Sequence, residues 1–280
     1  MSTLGPIYEH EAMINYYLFI AIGLCIEIIF ILLGFLYVHR FKKIYDKKLK
    51  EKYSPVIDSV LFPLLFNNKP IDETIASAEY QTYARREKFQ RNLLQSIIKL
   101  HTNYSGDYNL KLEEFYRKSG LINLSFVKLE SESWSIICEG IRELSQMDIQ
   151  ESYGKICKLV RHRNSTLKLE ALLGAISLKG SAGLTVLNDY QQTINDWIQL
   201  NLIYEINNNK HSSVYDFSEF LESKNESLVI LGLRLISNSN QNQYIDRVKE
   251  ICDAAKSARV RKQAEQTINK LSYLNFNYLT

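Results

Sequence analysis

The hydrophobic pattern divides the chain into one long apolar run and a series of shorter amphipathic stretches. The run reads LFIAIGLCIEIIFILLGFLYV from Leu18 to Val38, and Glu27 is its only ionisable residue. At about 1.5 Å per residue, a helix of this length covers the roughly 30 Å hydrocarbon layer of a bilayer. A buried helix of a soluble core rarely runs this far without a polar face. The run therefore predicts a transmembrane helix over 14–38, preceded by a short external segment, 1–13.

Basic residues are concentrated on the C-terminal side of this run. No Lys or Arg precedes it, whereas the flank after it holds seven basic residues: Arg40, Lys42, Lys43, Lys47, Lys48, Lys50 and Lys52. Lys and Arg accumulate in cytoplasmic flanks, so the N-terminus is predicted outside and the remainder inside. The seven residues also predict a belt against the anionic headgroups of the membrane surface. Residues 54–280 are nearly neutral, and no nucleic-acid partner is expected.

A short apolar stretch with two prolines follows the basic flank. Residues 54–70 read SPVIDSVLFPLLFNNKP, and their ten or so apolar residues are too few to cross a bilayer. The stretch is either an interfacial segment or a strap packed on the domain, with the strap favoured and a reentrant segment the third alternative. Residues 39–70 are thus predicted as a basic juxtamembrane helix and a proline-containing strap. All four prolines precede residue 71, so the remainder predicts helix after helix.

The remainder also repeats. Amphipathic stretches begin at 30- to 33-residue intervals, at Trp134, Leu167, Trp197, Leu228 and Val260. Each starts an apolar stripe at helical spacing, and second helices are predicted between them. Polar breaks such as RHRNS and NNNKHSS separate the helices, because Asn and Ser favour turns and N-caps. Such pairs cannot bury both faces alone, which predicts an all-α fold with an α-solenoid over 132–280. Residues 71–131 are predicted as its N-terminal helical cap, with longer helices near 72–101 and 108–131.

Two of these stretches carry a more specific pattern. LKLEA from Leu167 and VRKQA from Val260 each place a basic residue after an apolar one and a small residue three positions later. This pattern resembles the HEAT-repeat family, and Lys168 with Ala171 and Arg261 with Ala264 match it. The resemblance implies a concave surface for a protein partner. Together with the anchor and the Ile-, Asn- and Lys-rich composition, it implies a bacterial protein that serves an integral membrane enzyme of envelope biogenesis.

Motifs for catalysis or metal binding are absent from the sequence. It contains no phosphate-cradling glycine loop, no H-E-x-x-H and no G-x-S-x-G. The four cysteines form no C-x-x-C pair. The five histidines (His10, His39, His101, His162 and His211) are scattered singly and are predicted to be solvated. The sequence therefore predicts no catalytic residue, no metal and no cofactor.

Two groups of residues remain as candidate binding sites. Gly23, Glu27 and Gly34 fall within an arc of about 40° on the predicted transmembrane helix. Small residues permit close helix approach and a polar group can bond across the contact, so this face is predicted to dock another transmembrane helix. Four arginines, Arg161, Arg163, Arg259 and Arg261, are predicted to form a basic ridge for an acidic partner.

The pattern as a whole favours a non-enzymatic scaffold tethered to the bacterial inner membrane, which binds one or more protein partners, including a transmembrane protein. Two alternatives remain open. One is an enzyme, either a HEAT-like nucleic-acid-binding protein or a lyase-like activity. The other is a lipid-surface sensor in which residues 39–66 act.

Overall fold

The computed structural model describes residues 5–188, 190–209 and 216–277, with side chains from residue 16 to residue 272 outside the same two gaps. Within this part of the chain, helices are the only regular secondary structure, so the predicted all-α class is confirmed. The predicted segments 1–13 and 132–280 extend past the described residues at the two ends. The chain divides into an N-terminal unit, Met1–Leu93, and a C-terminal unit, Leu94–Thr280.

The N-terminal unit is built around one very long helix. It contains α1 (Gly5–Phe66), α2 (Ile71–Ala76), α3 (Ala78–Ala84) and the first part of α4 (Glu87–Asn103). The most apolar window of α1 has a mean hydropathy of 2.8, and none of it is buried. The last four turns are different, because one of their faces is buried, with α2, α3 and Phe89 of α4 packed on this part of the helix. This covered stripe consists of Tyr53, Ile57, Val60, Leu61, Leu64 and Leu65.

The strap predicted for residues 54–66 is instead the C-terminal part of α1. The helix runs unbroken through Pro55 and Pro63, although each proline costs about 3 kcal/mol in a helix interior. Burial outweighs that cost, since a large apolar side chain contributes roughly 2 kcal/mol when it is removed from water. The Tyr53 ring packs edge-to-face on Phe89, with centroids 5.6 Å apart. One apolar face of this stretch is therefore packed within the protein, while Phe62 on the other face is exposed.

The C-terminal unit continues with shorter helices. They are α5 (Asp107–Lys118), α6 (Leu121–Leu129), α7 (Trp134–Gln146), α8 (Tyr153–Leu159), α9 (Ser165–Lys179), α10 (Asp196–Asn208), α11 (Glu226–Asn238), α12 (Ile245–Ala254) and α13 (Ala258–Asn277). Where the sequence predicts two longer helices for the cap, the structure therefore has five helices, α2 to α6. The first predicted helix is interrupted at Ser77, whose side chain accepts a hydrogen bond from Tyr80 N at 3.4 Å. The second is interrupted at Gly120, which has a φ of 78°.

The five predicted repeat helices all occur, as α7, α9, α10, α11 and α13. Their first residues lie 30–32 positions apart, and each packs on the next in the series. The polar break before α9 acts as predicted, because the Asn164 side chain accepts hydrogen bonds from Thr166 N and Leu167 N. Two of the intervening second helices differ from the prediction. They are short 3₁₀ helices, Gly180–Leu187 and Phe217–Glu222, each packed on a neighbouring repeat helix.

Hydrogen bonds join positions about one period apart. Asn209 Nδ2 donates to Ile176 O at 2.7 Å, and Thr267 Oγ1 donates to Leu233 O at 3.1 Å, across 33 and 34 residues respectively. Each bond joins a side chain of one repeat helix, or of the residue that ends it, to a backbone carbonyl of another repeat helix. The same type of contact therefore recurs from one helix to the next along the C-terminal unit.

A close backbone approach fixes the 3₁₀ helix Gly180–Leu187 against α9. A Cβ atom at Gly183 would lie 2.4 Å from the carbonyl oxygen of Ala175, which is part of the α9 backbone. A backbone atom cannot move aside without displacing the helix. Gly154, inside α8, provides the contrast, because a Cβ there would meet nothing within 4 Å.

We expect Gly183→Ala to lower the free energy of unfolding by about 1–3 kcal/mol, the usual cost of overpacking. Gly154→Ala should raise it by up to about 1 kcal/mol, because Ala is the better helix former. Denaturant titration of the two purified variants beside the parent measures both changes. Equal effects of the two substitutions would contradict the close approach.

Candidate functional site

The predicted helix-docking face lies on the exposed part of α1. Gly23, Glu27 and Gly34 are all exposed, and a Cβ at either glycine would meet no described atom within 4 Å. The face is therefore available to a partner helix within the part of the chain that the structure describes. That a helix docks there stays a prediction.

The seven residues of the predicted lipid belt are also exposed on α1. They lie on one continuous helix, so Arg40 and Lys52 are separated along its axis by about 18 Å. Lys47 pairs with Glu51 at 3.7 Å, but both side chains are well solvated, and such a pair contributes little stability. The belt is thus a string of charges along a rod, and its contact with lipid stays a prediction.

The four arginines of the predicted ridge fall into two pairs with different surroundings. Arg161 and Arg163 are exposed in the turn between α8 and α9. Arg259 pairs with Asp196 at 3.3 Å, and Arg261 donates to the carbonyl of Ala255 at 2.7 Å. The last two are therefore held within the C-terminal unit, and a single ridge made of all four stays a prediction.

An exposed apolar face on α10 was not expected. Trp197, Leu200 and Tyr204 are 62%, 60% and 69% exposed, and their spacing places them on one side of the helix. Ile198 and Leu202 are buried on the opposite side. The apolar stripe that starts at Trp197 therefore faces outward in the structure. The signal lay in WIQLNLIYEI, where apolar residues occupy both sides of one helix.

Polar contacts hold α10 in this orientation. Arg234 of α11 pairs with Asp196 at 2.9 Å and donates to Gln199 Oε1 at 3.0 Å. The buried Gln199 in turn donates to the carbonyls of Ile194 and Ser227, both at 3.0 Å. Rotating α10 to bury Trp197 would leave these groups without partners in a low-dielectric setting, which is costly. The outward face is therefore fixed by the chain itself.

A polar cavity of about 270 Å³ lies elsewhere in the C-terminal unit. Among the residues that line it are His101, Asn109, Glu113 and Glu205. His101 is only 6% exposed, and its Nε2 lies 2.8 Å from Glu113 Oε1, so it is not solvated as predicted. No sequence signal identifies the cavity, because its residues come from helices far apart in the chain.

Two carboxyl groups near this cavity are buried, which disfavours their ionised form. Burial raises the pKa of Glu205, and the nearby Glu170 raises it further. Burial likewise raises the pKa of Glu170, while Arg142, which pairs with it at 3.1 Å, opposes that rise. Glu205 and Glu170 therefore repel each other when both are ionised, and a positive charge beside them would reduce that repulsion.

Comparison with known proteins adds little. No protein-family model matches the chain, and no curated protein matches it. Among solved structures, an engineered protein determined by the Northeast Structural Genomics Consortium aligns with 81% of this chain and 92% of its own. Its sequence identity is 10% and its TM-score is 0.31, and this likeness carries no argument about fold or function.

Replacing Glu205 tests the carboxylate repulsion. A carboxyl group with a raised pKa in the folded state stabilises the fold below its unfolded-state pKa, and this contribution is lost as pH rises through the folded-state pKa. We therefore expect Glu205→Gln to raise the melting temperature by about 2 °C at pH 7, with no difference near pH 4.

Glu265→Gln, which removes an exposed carboxylate of α13, is the matched control and should change neither value. Melting curves of both variants between pH 4 and pH 8 decide the matter. A Glu205→Gln effect of the same size at both ends of that range would contradict the assignment.

Proposed function

We propose that this chain is a non-enzymatic scaffold tethered to the bacterial inner membrane, which holds a protein partner through the outward face of α10. That face, formed by Trp197, Leu200 and Tyr204, is the observation that carries the proposal. Trp and Tyr are enriched among the residues that dominate binding energy at protein interfaces. A rigid helix presenting two such side chains on either side of Leu200 loses little conformational entropy on binding.

The long apolar part of α1 supports the tether. Two helical segments, Tyr16–Phe66 and Ser165–Leu187, are long and apolar enough to cross a membrane, a test that core helices and signal sequences also pass. The apolar window of the second segment is 61% buried, as expected of a core helix, whereas that of the first is not buried at all. The seven basic residues after Val38 favour an N-terminus outside and a cytoplasmic C-terminal unit.

The regular spacing of helices in the C-terminal unit supports an α-solenoid of HEAT-like pairs. Helix starts recur every 30–32 residues, and side chains bond carbonyls one period away. In such a fold each repeat contacts its neighbours only, which leaves an extended surface for a partner. The nearly neutral charge of residues 54–280 and the absence of catalytic motifs from the sequence favour a binding protein over an enzyme. The partner that we propose is an integral membrane enzyme of envelope biogenesis.

Photo-crosslinking in native membranes tests the α10 face. A photoreactive residue at Leu200 should join the full chain to a discrete partner, and Trp197→Ser should reduce that product about tenfold or more, as for a hot-spot residue.

Trp134→Ser is the matched control, because Trp134 is also exposed but lies on α7. It should leave the product at Leu200 unchanged. Products that are absent, or equally reduced by both tryptophan substitutions, would refute binding through α10.

The membrane-facing prediction at Glu27 needs its own test. In a bilayer, a polar side chain between two small residues can bond across a helix contact, which is worth about 0.6–2 kcal/mol. We expect Glu27→Leu to weaken a complex isolated in mild detergent several-fold, whereas Glu27→Gln, which retains hydrogen-bonding groups, should weaken it less. If Glu27→Leu leaves the complex intact, the docking face at Gly23, Glu27 and Gly34 is wrong.

A further inference from the structure

Charge is distributed unevenly along the N-terminal unit. Residues 40–52 and 84–91 together hold eleven Lys or Arg and three Asp or Glu, whereas residues 53–83 hold one Lys and four Asp or Glu. The first basic segment contains the predicted lipid belt, and the second lies more than thirty residues further along the chain. A surface of one sign attracts partners of the opposite sign, so the position of the second segment decides what it can bind.

The second basic segment consists of the turn between α3 and α4 and the first turn of α4. Arg85, Arg86 and Lys88 are all exposed there. Glu87, the one carboxylate among them, pairs with Arg91 at 2.7 Å. Within the part of the chain that the structure describes, no carboxylate forms a salt bridge with the other three basic residues. Their positive charges are therefore not neutralised by the protein.

Aromatic packing holds this turn against α1. Phe89, just after the turn, is fully buried, and its ring centroid lies 5.6 Å from that of Tyr53. Tyr83, just before the turn, has its ring centroid 6.0 Å from that of Tyr53 and 5.6 Å from that of Phe89. Rings on both sides of the turn thus contact the same residue of α1. Packing, rather than charge, fixes where the three basic residues lie along the helix.

Lys88 extends from this turn toward the proposed transmembrane segment. Its ammonium group lies 4.6 Å from the centroid of the Tyr45 ring and donates a hydrogen bond to the Tyr45 hydroxyl. Side chains of a helix tilt toward its N-terminus, so this ring lies about one turn nearer to Val38 than the Tyr45 Cα atom does.

The depth of the Lys88 ammonium follows from that tilt. The Cα atom of Tyr45 is about 10 Å beyond that of Val38 along the helix axis, and one turn of a helix is about 5 Å. If α1 crosses the membrane as proposed, the ammonium therefore lies roughly 5 Å outside the hydrocarbon layer, at the depth of the lipid headgroups. Arg85 and Arg86 precede it by only three and two residues.

We infer that the turn between α3 and α4 binds the anionic headgroups of the membrane through Arg85, Arg86 and Lys88. The depth of the Lys88 ammonium favours lipid over an acidic segment of a protein. With the first three residues of the belt, the turn provides basic groups on two elements, which fixes the orientation of the N-terminal unit on the surface as a belt on one helix does not. This inference rests on the membrane tether of the proposed function and does not involve the α10 face.

Chemical protection of arginine side chains tests the contact. The full chain is reconstituted in nanodiscs of phosphatidylcholine alone, or of phosphatidylcholine and phosphatidylglycerol in equal parts, and treated with phenylglyoxal, a neutral reagent that modifies guanidinium groups. Mass spectrometry should show Arg85 and Arg86 modified about fivefold more slowly in the anionic discs, the ratio that corresponds to the attraction of one basic residue to such a surface. About 1 M NaCl, which shortens the Debye length to ~3 Å, should abolish the difference.

Arg161 and Arg163 are the matched control in the same samples, because they too are exposed in a turn between two helices. Their modification should proceed at the same rate in both kinds of disc. Equal rates for Arg85 and Arg86 in the two discs, or equal slowing of all four arginines, would overturn the inference. Protection in native membranes but not in anionic discs would also overturn it and would indicate an acidic protein partner.

Extraction with alkaline carbonate separates this inference from the tether itself. The parent chain and a variant with Arg85→Gln and Arg86→Gln should both stay in the membrane pellet, because the apolar part of α1 provides the insertion. Release of the parent chain would refute the tether and the headgroup contact together. Retention of the parent chain with equal arginine modification in the two discs would refute the headgroup contact alone.

Discussion

The buried stripe at the C-terminal end of α1 is the constraint on which the rest of the N-terminal unit depends. Six apolar side chains between Tyr53 and Leu65 are removed from water, and this burial keeps the helix intact through two prolines. The remaining apolar length of α1, around Leu18–Val38, is exposed, and none of the side chains that the structure describes covers it. A helix with so much uncovered apolar surface requires another apolar medium, and a bilayer provides one. On the proposal of a membrane tether, α1 therefore has one part in the bilayer and one part packed in the N-terminal unit.

In the C-terminal unit, side chains take over the role that backbone groups have in a sheet. A helix completes its own hydrogen bonds except at its ends, so stacked helices need side chains to connect them. Asn209, Gln199 and Arg234 reach from one repeat helix to the next and satisfy carbonyl or carboxylate groups there. Because these bonds are directional, they also fix how each helix is rotated. The outward orientation of Trp197 follows from this constraint, because hydrophobicity alone does not choose between the two apolar sides of α10.

The sequence predicts the positions of most helices but not the residues of the candidate sites. Apolar periodicity located the starts of all five repeat helices to within two residues, because apolar residues at this spacing lie along one side of a segment only when the segment is helical. It failed at the prolines of α1, where tertiary burial overrides local propensity, and at Gly180–Leu187, where close packing tightens the helix. Both candidate sites depend on rotation and on proximity between distant helices. His101 and Glu113, or Asp196 and Arg234, carry no pairwise signal in a single sequence.

The continuity of α1 also changes what the basic belt can do. If α1 crosses the membrane as proposed, each residue beyond Val38 lies about 1.5 Å further from the hydrocarbon layer. The headgroup region adds only some 5–7 Å on that side, so Arg40, Lys42 and Lys43 can contact lipid phosphates directly. Lys47 to Lys52 lie roughly 13–21 Å out, near or beyond the Debye length at physiological salt, and their attraction to the surface is largely screened. On that proposal the first three basic residues are placed to set the depth of the helix, whereas the last four lie beyond Tyr45, where Lys88 of α4 already contacts α1.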